Sequence, residues 1–207
     1  SSAASDVYKR QVFHLSSNLS KIFLFKKGVD KKLVLRLGIP SVLFVIIGGY
    51  LSKLLQVHFL EIILGIFLVG FSLLFLIKSE IVFKPSVQNA IVGGSLSGFS
   101  AGLLGTGGAI RGLTMAAFNL EKSAFIATSA LIDFAIDFSR TIVYYNNGYI
   151  HKEELKYVPF LFVIGLLGTW IGKKILVYIP QKNFRKLSLS FILLIGIVTI
   201  VQLFITD

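Results

Sequence analysis

The sequence predicts an all-α, polytopic membrane protein. Three observations carry this: long uncharged apolar blocks, basic residues confined to the short segments between them, and a glycine-rich interruption in one block. Of the 207 residues, 55% are hydrophobic and 15% charged, against roughly 25% charged in soluble domains. Mean hydropathy is +0.81. The 21 Lys and Arg outnumber the 10 Asp and Glu, giving a net charge of +11. On a soluble chain that excess would suggest nucleic acid. Here it sits in loops, as in cytoplasmic membrane loops, and no RNP sequence, zinc spacing or basic helix accompanies it. Cysteine is absent, which excludes disulfides and thiol chemistry.

Residues 1–11 (SSAASDVYKRQ) have no apolar core and read as a non-native leader, resembling translated adapter sequence. Residues 12–25 are too short to cross a bilayer, which takes about 20 apolar residues, and read as the tail of a span. Residues 33–55 are free of charge between Leu37 and Ser52, and 59–77 carry only Glu61. Residues 87–120 are uncharged up to Arg111. Residues 124–145 form a span with charges inside it. Residues 155–179 and 187–206 complete the set, with loops at 26–32, 78–86, 146–154 and 180–186. No ten-residue alternation suggests a barrel.

The chain repeats itself. An offset of 120 residues pairs Gly28 with Gly148, Lys32 with Lys152, Leu35 with Leu155, Gly48 with Gly168, Tyr50 with Trp170 and Lys53 with Lys173. Beyond extra residues near Pro180 the offset becomes 126, pairing Gly70 with Gly196. The expected division is an incomplete first repeat at 12–78, a linker at 79–86 and a complete second repeat at 87–207. No counterpart of 87–120 precedes the first repeat, so the chain reads as an N-terminally truncated member of its kind. Many transporters consist of two such repeats with the substrate between them.

The stretch 90–120 is the most informative. Gly94, Gly98 and Gly102 recur every fourth residue, a spacing that admits another backbone. Gly105, Thr106, Gly107 and Gly108 follow, and each mid-helix glycine costs about 1 kcal/mol against alanine. We read a break between two half-helices, whose second member offers unpaired N–H groups and a positive dipole end to an anion. Either 87–120 is one kinked span or it enters and leaves by one face. The returning form gathers most of Lys26 to Lys186 on one side and leaves Lys53, Lys152 and Lys156 on the other, so the positive-inside rule favours it, with the repeats inverted.

Arg111 follows the break. Asp133, Asp137 and Arg140 share one face of the 124–145 span, extended by Ser129 and Tyr144. Charges at such depth face protein or a cavity. One reading has Arg111 and Arg140 attract an anion while Asp133 or Asp137 pairs with an arginine or carries a coupling proton. The other is a buried Asp–Arg pair pinning two helices. At the 120 offset Ser17 corresponds to Asp137 and Ser20 to Arg140, so the first repeat would contribute hydroxyls. Lys21 either snorkels to the interface, the favoured reading, or joins the site. The three histidines lack metal-ligand spacing, and neither a metal nor a cofactor is expected. Trp170 and the tyrosines near span ends suit an interfacial belt.

The run 98–108 (GFSAGLLGTGG), Thr128-Ser129-Ala130, Gly148 in its loop, and Gly168 with Gly172 together resemble the sulfite exporter TauE/SafE permease family over residues 12 to the end. The resemblance implies a two-repeat permease of the bacterial inner membrane that exports sulfite or organosulfonates, without a cofactor and without enzymatic activity. Ala109 stands where the family has a third glycine, and Thr114 where it has proline. Arg111 and the Asp137/Arg140 pair look like a subgroup pattern, so the substrate is not carried over. The expected substrate-binding set is Gly105, Thr106, Gly107, Gly108, Arg111, Ser129, Arg140 and Ser17. Asp133 and Asp137 serve proton coupling or ion pairing. An anion channel and a membrane scaffold are the alternatives.

Overall fold

The computed structural model describes the backbone of residues 2–52, 57–146 and 158–205, and the side chains of 13–52, 59–139 and 159–202. Among these residues every regular element is helical. Helix α1 (Ser2–Phe25) runs from the leader residues without interruption and ends in a 3-10 turn at Lys26–Gly28. Asp30 caps the next helix through a hydrogen bond from Leu33 N–H (3.0 Å). That helix begins as α2 (Lys31–Leu33), widens into a π turn at Val34–Gly38 and continues as α3 (Ile39–Leu51). Pro40 explains the widening, since it cannot donate to Arg36 and its ring crowds that carbonyl.

Helices α4 (Val57–Ile77), α5 (Val87–Leu104), α6 (Gly108–Ala117), α7 (Lys122–Asn146), α8 (Val158–Tyr178) and α9 (Gln181–Ile205) follow. By length and apolarity Lys31–Leu51, Phe59–Ile77, Pro159–Tyr178 and Gln181–Gln202 can each cross a membrane. The spans read from hydropathy therefore exist as helices. The expected break at 105–108 is observed: helix α5, with 18 residues and about 27 Å long, ends before it, and the shorter α6, with 10 residues, follows it.

The packing order follows from the glycines. On α5, a Cβ at Gly94, Gly98 or Gly102 would strike the backbone carbonyls of Leu37, Ser41 and Val45, so α3 and α5 run parallel in close contact. Ser41 Oγ donates to Gly94 O across this seam (3.0 Å). Leu33, Leu37, Val45, Ala90, Ala101, Met115, Phe118, Ile132 and Ile136 form a buried apolar cluster linking α3, α5, α6 and α7. A second cluster joins α4, α6 and α9 through Leu64, Leu68, Phe75, Ile110, Leu113, Leu189 and Ile192.

Helix α6 turns back along α5. Phe83 N–H donates to Ala117 O (2.9 Å), closing the hairpin at its base. Arg185 ties the same region together, donating to Ser79 O, Ile81 O and Ala116 O. Lys122 Nζ donates to Leu176 O and Ile179 O, while Gly28 packs on Ser123. The loops at 26–30, 78–86, 118–121 and 179–181 thus share one end of the bundle, with Lys26, Lys27, Lys78, Lys84, Lys122, Lys182, Arg185 and Lys186. The returning form of 87–120, one of two left open by the sequence, is the one observed.

The hairpin makes a direct prediction in this cysteine-free chain. Lys84→Cys and Asn119→Cys, made one at a time, should react with a membrane-impermeant maleimide from the same side of the membrane. Reaction from opposite sides would mean that 87–117 crosses once.

Candidate functional site

Gly105 ends α5 in the left-handed conformation (φ 74°), which a Cβ would strain, and Gly107 caps α6 at φ −105°. Two serines of α5 hold the reversal. Ser100 Oγ donates to Thr106 O (2.7 Å) and Ser97 Oγ to Gly107 O (2.9 Å). Gly107 packs so closely on Ser97 O and the Ala101 methyl that no side chain would fit. Helix α6 therefore starts level with Ser97, about 16 Å of helix rise beyond Ser86. That is roughly half the thickness of a ~30 Å hydrocarbon layer. No side chain caps this N-terminus, and Thr106 and Gly108 are exposed.

Arg111 is 1% exposed, yet all its observed partners are polar. Its guanidinium pairs with the Asp133 carboxylate, donates from Nε to Ser129 Oγ (3.2 Å) and reaches Ser97 Oγ (3.4 Å). Ser129 Oγ donates in turn to Asp133 Oδ2 (3.3 Å). One positive group thereby fastens α6 to α5 and α7, and Asp133, with its side chain 31% exposed, forms the outer side of the pair. The guanidinium also lies under the first turn of α6, with its NH2 group 3.6 Å from where a Cβ on Gly108 would sit. The break, Arg111, Ser129 and Asp133 are brought together as a single cluster.

Asp137 lies one turn farther along α7. It accepts a hydrogen bond from Asn18 Nδ2 (3.1 Å) and is 9% exposed. Asn18 Oδ1 accepts one from Lys21 Nζ (3.2 Å). The expectation that Lys21 snorkels to the interface is corrected here. With Asn18 one turn away and the charges of Asp133 and Asp137 nearby, the ammonium finds its partners inside the bundle. Ser17 does not touch Asp137; it faces a crevice between α1 and α8. The Arg140 side chain lies outside the described residues.

Sequence reasoning missed two members, Ser97 and Asn18 in its link to Asp137, and disfavoured a third, Lys21. Asn18 was within reach, because α1 and α7 are related by the 120 offset and Asn18 and Asp137 are 119 residues apart.

No curated protein and no solved structure matches the chain. A family model does match: that for sulfite exporter TauE/SafE covers residues 11–199, and the chain belongs to that family.

Proposed function

We propose that this chain, a member of a family of membrane transporters of sulfite-like anions with the helices of a multi-pass membrane protein, is a secondary transporter of a small oxyanion such as sulfite or a sulfonate, and that the anion docks against the N-terminus of α6. The single observation behind this site is an exposed, uncapped helix start near mid-bilayer depth with the Arg111 guanidinium directly beneath it. Backbone N–H groups and the helix dipole favour an anion there, and the low dielectric strengthens their attraction. Arg111 adds positive potential, while Asp133 fixes its direction. Asp137, joined through Asn18 to the opposite helix, is the candidate carrier of a coupling proton. The basic end faces the cytoplasm of a bacterial inner membrane, by the positive-inside rule.

Two helix crossings support inverted repeats. Helix α1 meets α7 with Asn18 against Asp137, and α4 meets α9 with Val69 against Gly196. Both pairs are antiparallel, and both cross close to corresponding positions of the 120 and 126 offsets. Such pairs fit a two-fold axis lying in the membrane plane.

Gly108 supplies the test. An acidic residue at the first position of a helix favours the helix, and a Cβ there meets only Arg111 at ordinary contact distance. Gly108→Asp should therefore fold normally while tethering a carboxylate in the anion position. We expect saturable sulfite or sulfonate counterflow in vesicles to fall by about two orders of magnitude, a ~3 kcal/mol loss of anion binding, with Gly108→Ala retaining most of it. Normal counterflow in Gly108→Asp would remove the anion from this site.

A further inference from the structure

A second polar feature lies outside the hairpin. Helices α1 and α8 run side by side in parallel, Ser16 and Ser17 against Gly165 and Leu24 against Lys173. Between them is a cavity of about 360 Å³ lined by Ser17, Lys21, Thr169 and Lys173, with Phe13 and Phe25 among its apolar walls. Helix α7 contributes only Ile126 to this lining, while Asp133 and Asp137 act on the Lys21 ammonium from the α7 side. On the α8 side Gly168 and Gly172 have open space where a Cβ would be, leaving the backbone accessible.

We propose that this crevice binds an oxyanion, held by the Lys21 and Lys173 ammonium groups and the Ser17 hydroxyl, while Thr169, whose own hydroxyl donates to Gly165 O (2.7 Å), only lines the wall. The proposal rests on the anion-transport reading and adds a second station to it. Two ammonium groups inside membrane-spanning helices are costly against hydrocarbon. Lys173 relieves part of this by donating to Leu24 O (2.8 Å), Lys21 by donating to Asn18. Each of these bonds uses one of three donors, so both groups keep N–H bonds to offer. Asn18 holds Lys21 in place because its own amide is anchored on Asp137.

The crevice also adjoins the basic end. A basin of about 730 Å³ lined by Lys26, Lys27, Gly28, Ser123 and Glu121 shares Phe25 and Lys173 with it. An anion drawn by the exposed lysines of the basin would pass Lys173 and reach Lys21. The shared chemistry is that of a tetrahedral or pyramidal oxyanion, and two sources offer it: a free sulfite or sulfonate, and the phosphate of a lipid headgroup.

Binding is read as heat by isothermal titration calorimetry, because Trp170, the chain's single tryptophan, does not line the crevice. The full chain would be placed in phosphatidylcholine nanodiscs and titrated with ethanesulfonate, then in a parallel arm with phosphatidylglycerol as a lipid component. Saturable ethanesulfonate binding that weakens at least about ten-fold in Lys21→Gln is expected, since a charge-assisted bond contributes more than a neutral one. Lys21→Arg should stay near the parent, which separates loss of charge from misfolding. A response to phosphatidylglycerol alone would assign the site to a lipid phosphate. No response to either probe, or an equal response in Lys21→Gln, would overturn the site. Counterflow measured alongside separates the two readings: transport intact in Lys21→Gln with unchanged KM rejects the crevice, whereas sulfonate binding without transport by the parent rejects the transporter.

Discussion

Asp133→Leu should destabilise the protein more than Arg111→Leu, although each breaks the same ion pair. Removing Asp133 leaves the guanidinium of Arg111, 1% exposed, with no counter-charge among its observed partners, only the Ser97 and Ser129 hydroxyls. An arginine does not escape by losing its proton, so the loss should be about 3–5 kcal/mol. Removing Arg111 leaves Asp133, whose side chain is 31% exposed and can hydrate or take up a proton. Its loss should lie at the lower end, about 3 kcal/mol. The double replacement Arg111→Leu/Asp133→Leu should recover to within about 1 kcal/mol of the parent, because apolar side chains often substitute for a buried pair without penalty. Thermal unfolding in detergent measures all four corners of the cycle. Anion counterflow then assigns the role of Arg111. A stable double variant that transports normally would make the pair a pin between helices and nothing more; a stable but inactive one would place the guanidinium in the transport path.

How far the sequence could be read depends on the range of the interaction. The spans at 59–77 and 187–206 are legible because a bilayer demands local apolarity, and each segment carries its own signal. The break at 105–108 is legible for a similar reason: three glycines in four residues oppose a continuous helix, and Gly105 does take a left-handed φ. That 87–117 returns on itself was readable only from distant lysines, summed over loops. The partner of Arg111 was beyond reach. Asp133 is 22 residues away on another helix, and Asp137 shares its helical face, so spacing alone could not choose between them. Lys21 was misread because snorkelling assumes that the interface is the nearest polar environment. Asn18, on the same face of α1, supplied a nearer one. The same glycines mark where α5 ends, but not that α3 is the helix packed on Gly94, Gly98 and Gly102.

That packing sets up the largest contrast between like substitutions. Glycine to alanine in a helix ordinarily gains about 1 kcal/mol. Gly49 and Gly70 have open space at the Cβ position, so Gly49→Ala and Gly70→Ala should each raise stability by up to about 1 kcal/mol. Gly98→Ala adds the same methyl group and should reverse the sign. Its Cβ would fall within the van der Waals radius of Ser41 O, on the backbone of α3, where no side chain can swing aside. The two helices must part, and the seam that parts includes the Ser41 Oγ bond to Gly94 O and the paired contacts of Gly94 and Gly102. Overpacking of this kind costs roughly 1–3 kcal/mol, and more when backbone must move. We expect Gly98→Ala to lose at least about 2 kcal/mol net of its helix propensity, and Gly98→Leu to fail to fold. Transport should fall with Gly98→Ala even in the folded fraction, because Ser97 and Ser100, which clip the hairpin reversal, flank Gly98 on α5 and shift with it. Thermal unfolding of Gly98→Ala beside Gly70→Ala decides the matter. Equal gains at both positions would mean that α3 and α5 do not touch along this stripe.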